Sequence, residues 1–111
     1  MDFEVSIEEH AETYSVVSVR GEIDLHTAPK LQQAIERAAG SNGAVVVDMS
    51  GVEFMDSTAL SALVRSKESL DEKNAPLRLA AVSKAVERIF SVTGFGDLFE
   101  IFPSREAAIS G

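Results

Sequence analysis

Ala44-Val45-Val46-Val47-Asp48-Met49-Ser50-Gly51-Val52-Glu53-Phe54-Met55-Asp56-Ser57-Thr58-Ala59-Leu60 is the stretch on which the fold turns. It opens with a continuous apolar run, Ala44 to Asp48, of the kind found in central strands of parallel sheets, where both faces are covered. Ser50-Gly51 is expected to turn the chain. From about Ser57 to Lys73 the pattern becomes helical, with Leu60, Leu63, Val64 and Leu70 on one stripe, and Asn74 and Pro76 end it.

The same alternation extends outward. Upstream, Thr27 and Pro29 form a helix start, Leu31, Ala34, Ile35 and Ala38 follow at helical spacing, and Gly40 and Asn42-Gly43 stop the helix. Before it, Phe3 to Glu8 alternates apolar and polar residues and Tyr14 to Arg20 is rich in Tyr and Val, so both read as strands. The short link His10 to Thr13 makes them a hairpin. Downstream, Leu77 to Val82 is a strand, and Ser83 caps a helix with Val86, Ile89 and Phe90 inward, closed by Thr93-Gly94. Leu98 to Phe102 is a short last strand, and Pro103-Ser104 opens a terminal helix. The order β-β-α-β-α-β-α-β-α implies an α/β fold in one domain, residues 1–111. Its sheet has about five strands and is mixed but mostly parallel, with an N-terminal antiparallel hairpin and about four helices. Phe90, Phe95, Phe99 and Phe102 are expected in the core.

Composition narrows the function. The 111 residues carry a formal charge of −8, from 18 acidic and 10 basic side chains. Asp2, Glu4, Glu8, Glu9 and Glu12 all precede Tyr14 with no Lys or Arg among them. Such a field repels phosphate backbones and anionic membranes, so a basic protein is a better partner than nucleic acid. No apolar run approaches the roughly 20 residues of a membrane span, and the start, Met1-Asp2-Phe3-Glu4, has no signal-peptide character, so a cytoplasmic location is expected. With no cysteine there are no disulfides, thiolate metal sites or cysteine nucleophiles.

In parallel sheets, sites gather at the carboxyl ends of the strands. Three segments are expected on one rim: Gly21 to Thr27, Asp48 through Thr58, and Val82-Ser83-Lys84. Asp24 and Ser57 then become neighbours. Asp56-Ser57-Thr58 stands at a helix start, where free backbone amides and the helix dipole favour a phosphate on Ser57. The plainer reading is an ordinary N-cap.

Two motifs in register decide between these. Val45 to Leu60, quoted above, resembles the signature of STAS domains, specifically anti-sigma factor antagonists. Gly21-Glu22-Ile23-Asp24 with Thr27-Ala28-Pro29-Lys30-Leu31 resembles their earlier motif. The resemblance covers nearly the whole chain. It implies a STAS-like fold and partner switching in transcription regulation, of the kind that governs stress response and sporulation. The unmodified family member binds an anti-sigma factor that is also a serine kinase, and so frees a sigma factor. The kinase uses ATP and magnesium to phosphorylate the serine of the Asp-Ser motif, here Ser57. The phosphoprotein loses its grip, and a PP2C-type phosphatase restores it. Asp24 and Asp56 match positions flanking that serine, Thr27 belongs to the earlier motif, and Thr58 is a second acceptor candidate. The family usually has Gly two places after the serine. Here Ala59 stands there, and its methyl group is expected either to slow the kinase or to mark a branch with a different partner.

Other chemistries fit less well. Asp24, Asp48 and Asp56 as a magnesium triad would need the acidic pair and later lysine of receiver domains, so Asp48 reads as a turn or capping residue. His10 and His26 have no metal-ligand spacing. No Gly-x-Ser-x-Gly elbow accompanies Ser57, and Gly94-x-Gly96 lacks the context of a phosphate loop. The chain is therefore not expected to be an enzyme, nor to hold a metal or cofactor of its own. The alternative is a constitutive STAS scaffold or transporter-associated subunit, in which Ser57 is only a cap.

Overall fold

The computed structural model of the chain describes residues 2–10, 13–40 and 43–111. Strands β1 (Phe3–His10) and β2 (Tyr14–Ile23) are followed by α1 (Ala28–Ala39), β3 (Ala44–Met55), α2 (Ser57–Glu72), β4 (Leu77–Ala80) and α3 (Lys84–Thr93). A 3-10 turn (Phe95–Leu98), β5 (Glu100–Phe102) and α4 (Arg105–Ser110) complete it. The expected element order is the observed one. The sheet runs β1-β2-β3-β4-β5, with β1 antiparallel to β2 and every other neighbouring pair parallel. The hairpin residues Ala11 and Glu12, and Asn42 of the expected helix stop, lie outside the described residues; Gly40 caps α1.

Period-two alternation divides the sheet into two faces. Val17 and Val19 of β2, Val45 and Val47 of β3, and Leu77 and Leu79 of β4 join α1, α2 and α3 in the main core, with Leu31, Ile35, Leu63, Leu70 and Phe90. Val16, Val46 and Ala80 point the other way, onto Ala108 of α4. Each fully buried Leu or Val contributes about 1.5–3 kcal/mol relative to exposure, so the larger cluster dominates stability. Only Phe90 and Phe99 of the four expected core phenylalanines are buried. Phe102 is half-buried under the α4 cluster, and Phe95 is exposed on the 3-10 turn.

β3 departs most from expectation. Ser50-Gly51 is no turn, because the strand runs through to Met55, and β2 likewise continues through Gly21-Glu22 to Ile23. Two register shifts against β2, at Ser18/Arg20 and at Gly21/Glu22, each insert one extra β3 residue. A bulge flips the side-chain alternation, so the buried positions become Met49, Val52 and Met55, three apart instead of two. That spacing concealed the strand. Gly51 sits where a Cβ would lie 2.7 Å from the Arg20 Cβ. Gly21, at φ +96°, sits where one would lie 2.0 Å from the Asp2 carbonyl oxygen, which accepts the Glu22 amide at 3.0 Å just before β1.

The expected common rim is also corrected. β4 ends at Ala80, opposite Asp48, and Ala81 then turns at φ +57°. β3 continues from Met49 to Met55 beside β2 alone, about 17 Å further at the rise of the five β2 steps from Ser18 to Ile23 that it accompanies, the two bulge residues adding no length. The three and four residues from Ala80 to Ser83 and Lys84 reach at most about 14 Å even fully extended, so both stay short of Ser57. β5 likewise begins at Glu100, because Leu98 belongs to the 3-10 turn. The β2–β3 ribbon extends past the level where β4 ends, flanked by β1 as far as Gly21 and with Val19, Ile23, Met49, Val52 and Met55 buried in the main core.

Candidate functional site

Two chain segments meet at the end of that ribbon. The Asp56 amide donates to the Ile23 carbonyl at 3.1 Å, which sets the residue after β2, Asp24, beside the residue before α2, Asp56. The Asp24–Thr27 turn is locked reciprocally. Thr27 Oγ1 accepts the Asp24 amide at 2.8 Å, while Asp24 Oδ1 accepts the amides of His26 at 2.9 Å and Thr27 at 3.1 Å. The Thr27 hydroxyl lies 2.9 Å from the Glu22 carbonyl. Partial desolvation pushes the Asp24 carboxyl up, but the His26 and Thr27 amides, the Thr27 hydroxyl and the nearby His26 outweigh it. Its pKa is held below the ordinary carboxylate value.

α2 opens with Asp56 as its N-cap. Asp56 Oδ1 accepts the amides of Thr58 at 2.9 Å and Ala59 at 3.1 Å, and also the Thr58 hydroxyl. The cap is thus Asp56, which leaves Ser57 as the first helical residue, exposed, with its hydroxyl bonded to no other described residue. Thr58 is half-buried with its hydroxyl committed, a poorer acceptor. Ala59 corrects an expectation: it is 0% exposed, inside the main core, so its methyl group is not in the path of an approaching protein.

Asp24, Thr27, Asp56, Ser57 and Thr58 therefore share one end of the molecule. Asp48 lies lower on β3, its Oδ1 accepting the Ser50 amide at 3.0 Å as a turn residue would, and its Oδ2 held by Arg105 Nε at 3.0 Å. Desolvation raises its pKa, but Ser50 and Arg105 prevail and lower it. Arg105 also reaches Glu8 at 3.1 Å and Ser18 Oγ at 2.8 Å, pinning α4 across the open face of the sheet. Sequence reading missed this hub because its partners lie 57, 87 and 97 residues away. It also passed over Leu25 and Phe54, which are exposed at the ribbon end. Their signal was apolar size inside an otherwise acidic stretch: Glu22, Asp24, Glu53 and Asp56, with no Lys or Arg in 21–28 or 50–60. This end offers an exposed hydroxyl, unbonded among the described residues, on a helix start within a negative field.

Comparison with known proteins gives a consistent picture. The STAS domain family model matches residues 4–108. The anti-sigma-B factor antagonist of Listeria monocytogenes is 35% identical over 102 residues, covering 91% of this chain and 90% of that one. An anti-sigma-F factor antagonist of Mycobacterium tuberculosis is 30% identical over 105 residues, covering 92% and 82%. The crystal structure of an anti-sigma factor antagonist from Mycobacterium paratuberculosis superposes with a TM-score of 0.85 at 34% identity, over 98% of this chain and 92% of that one.

Proposed function

Because the chain belongs to the STAS-domain family of anti-sigma factor antagonists, we propose that it binds an anti-sigma factor in its unphosphorylated form, and that phosphorylation of Ser57 by that factor's serine-kinase activity ends the binding. A PP2C-type phosphatase reverses the modification. The observation that carries this reading is the exposed, uncommitted Ser57 hydroxyl at the first position of α2, flanked by Asp24 and Asp56.

The switch is local and electrostatic. A phosphate adds about −1.5 to −2 charges at neutral pH. The start of α2 offsets typically 0.3–1 kcal/mol of that at an exposed site, but Asp56 already takes two of its amides. The fold survives, because Ser57 packs against nothing in the core. A partner surface fitted to a hydroxyl instead faces a dianion, and an unpaired buried charge costs several kcal/mol, or tens- to thousands-fold in affinity. The test is a pull-down from the native cell, followed by incubation of the recovered anti-sigma factor with this protein and ATP–magnesium. One phosphate on Ser57 is expected. Mass spectrometry placing it chiefly on Thr58 or Ser83 overturns the assignment.

A further inference from the structure

Folding leaves two large apolar side chains in water at the ribbon end, Leu25 at 65% and Phe54 at 50% exposure. They stand on the two segments that the Ile23–Asp56 hydrogen bond ties together, Leu25 directly after Asp24 and Phe54 opposite Glu22 in the ladder. Neighbouring Ile23, Met55 and Ala59 are buried, so core packing at this end is complete without them. Glu22, Asp24, Glu53 and Asp56 surround them in sequence, with no Lys or Arg in 21–28 or 50–60, and Arg20, two residues before Glu22, is paired to Glu4 at 2.9 Å. A second copy would bring two such acidic ends together, like charge against like. The complementary occupant is cationic at its rim and apolar at its centre.

Resting on the function proposed above, we infer that Leu25 and Phe54 are the anchors by which this end grips the anti-sigma factor, and that the partner presents an apolar pocket bordered by Lys or Arg. Binding energy in protein interfaces concentrates in a few large side chains that fill desolvated pockets, while rim charges mainly set the association rate. Ser57 follows Phe54 by three residues, so a phosphate there lands at the edge of the pocket. The carboxylates steer the encounter and the anchors hold it.

The experiment titrates the anti-sigma factor recovered in the pull-down, purified, into wild type, Leu25→Ala, Phe54→Ala and Ile101→Ala. Ile101 is 41% exposed on the edge strand β5 and serves as the control. Phe54→Ala is expected to weaken binding about thirtyfold and Leu25→Ala about fivefold to tenfold, with unchanged melting temperatures, and Ile101→Ala to bind like wild type. Raising salt from about 0.05 to 0.5 M should slow association about tenfold or more while leaving dissociation nearly constant. Anchor variants within about twofold of wild type overturn the inference and leave the function reading standing. So does an Ile101→Ala loss as large as theirs, or a wild-type dimer in sedimentation equilibrium that the anchor variants dissolve. A wild type that binds no anti-sigma factor overturns the function reading itself, and the inference with it.

Discussion

Asp56→Ala removes the N-cap of α2 and leaves three donors, the Thr58 amide, the Ala59 amide and the Thr58 hydroxyl, without their shared acceptor. Cap removal costs about 0.5–2 kcal/mol. The upper half of that range applies here. Ala59 is fully buried and its amide cannot turn to water, although it keeps a 3.1 Å bond to the Asp56 carbonyl. About 1.5 kcal/mol is therefore expected. At roughly 2.1 cal/mol/K per residue the chain's unfolding entropy is about 0.23 kcal/mol/K, so the melting temperature should fall by about 6 °C. Asp56→Asn keeps an acceptor oxygen in place and should lose less than half as much. Differential scanning calorimetry of the three proteins is the assay. The reasoning fails if Asp56→Ala melts within about 1 °C of wild type, or if Asn is as damaging as Ala.

Arg105→Ala should cost about 1–2 kcal/mol in urea unfolding, since it frees half-buried Asp48 and unpins α4. Asp48's pKa is lowered in the folded state, so its contribution is present above the ordinary carboxylate range and fades as pH falls below about 4; the variant's acid destabilisation should be shallower there. Equal acid limbs would contradict that. Ala59→Gly should lower stability by at least about 1 kcal/mol through lost helix propensity and a lost buried methyl, without changing the phosphorylation rate; a faster rate in a kinase assay would return Ala59 to the partner surface. Ser66 is 0% exposed with no partner for its hydroxyl among the described residues, so Ser66→Ala should be neutral or stabilise by up to about 1 kcal/mol, and a destabilised variant in the same urea series would count against it.

Much of the fold was legible because it rests on local periodicity. The alternation in Phe3–Glu8, the valine run after Ala44 and the stripe of Leu60, Leu63 and Leu70 each report one buried face. The β3 bulges were not legible, since buried residues three apart match neither strand nor helix. The early end of β4 was not legible either. Strand length there is set by where the Ala81 turn diverts the chain, and nothing local in Leu77 to Val82 marks that level. Of the candidate site, Asp24, Thr27, Asp56, Ser57 and Thr58 were read from two motifs in register, and the structure sets them at one end of the molecule. Which of Asp56 and Ser57 caps the helix, and which way the Ala59 methyl points, are matters of side-chain geometry that residue identity leaves open. Arg105 illustrates the remaining limit, because a charge hub built from four separate elements has no local pattern.

The central claim is that a phosphate on Ser57 ends partner binding without unfolding the protein. Calorimetric titration of the purified anti-sigma factor into unmodified and Ser57-phosphorylated protein, with thermal melts of the same samples, measures both halves at once. The account predicts affinity lower by tens-fold or more in the phosphoprotein, partial loss in Ser57→Asp, permanent binding by Ser57→Ala, and melting temperatures within a few degrees of one another. Phosphoprotein that binds as tightly as the unmodified form, or that loses binding only because it has unfolded, would contradict it.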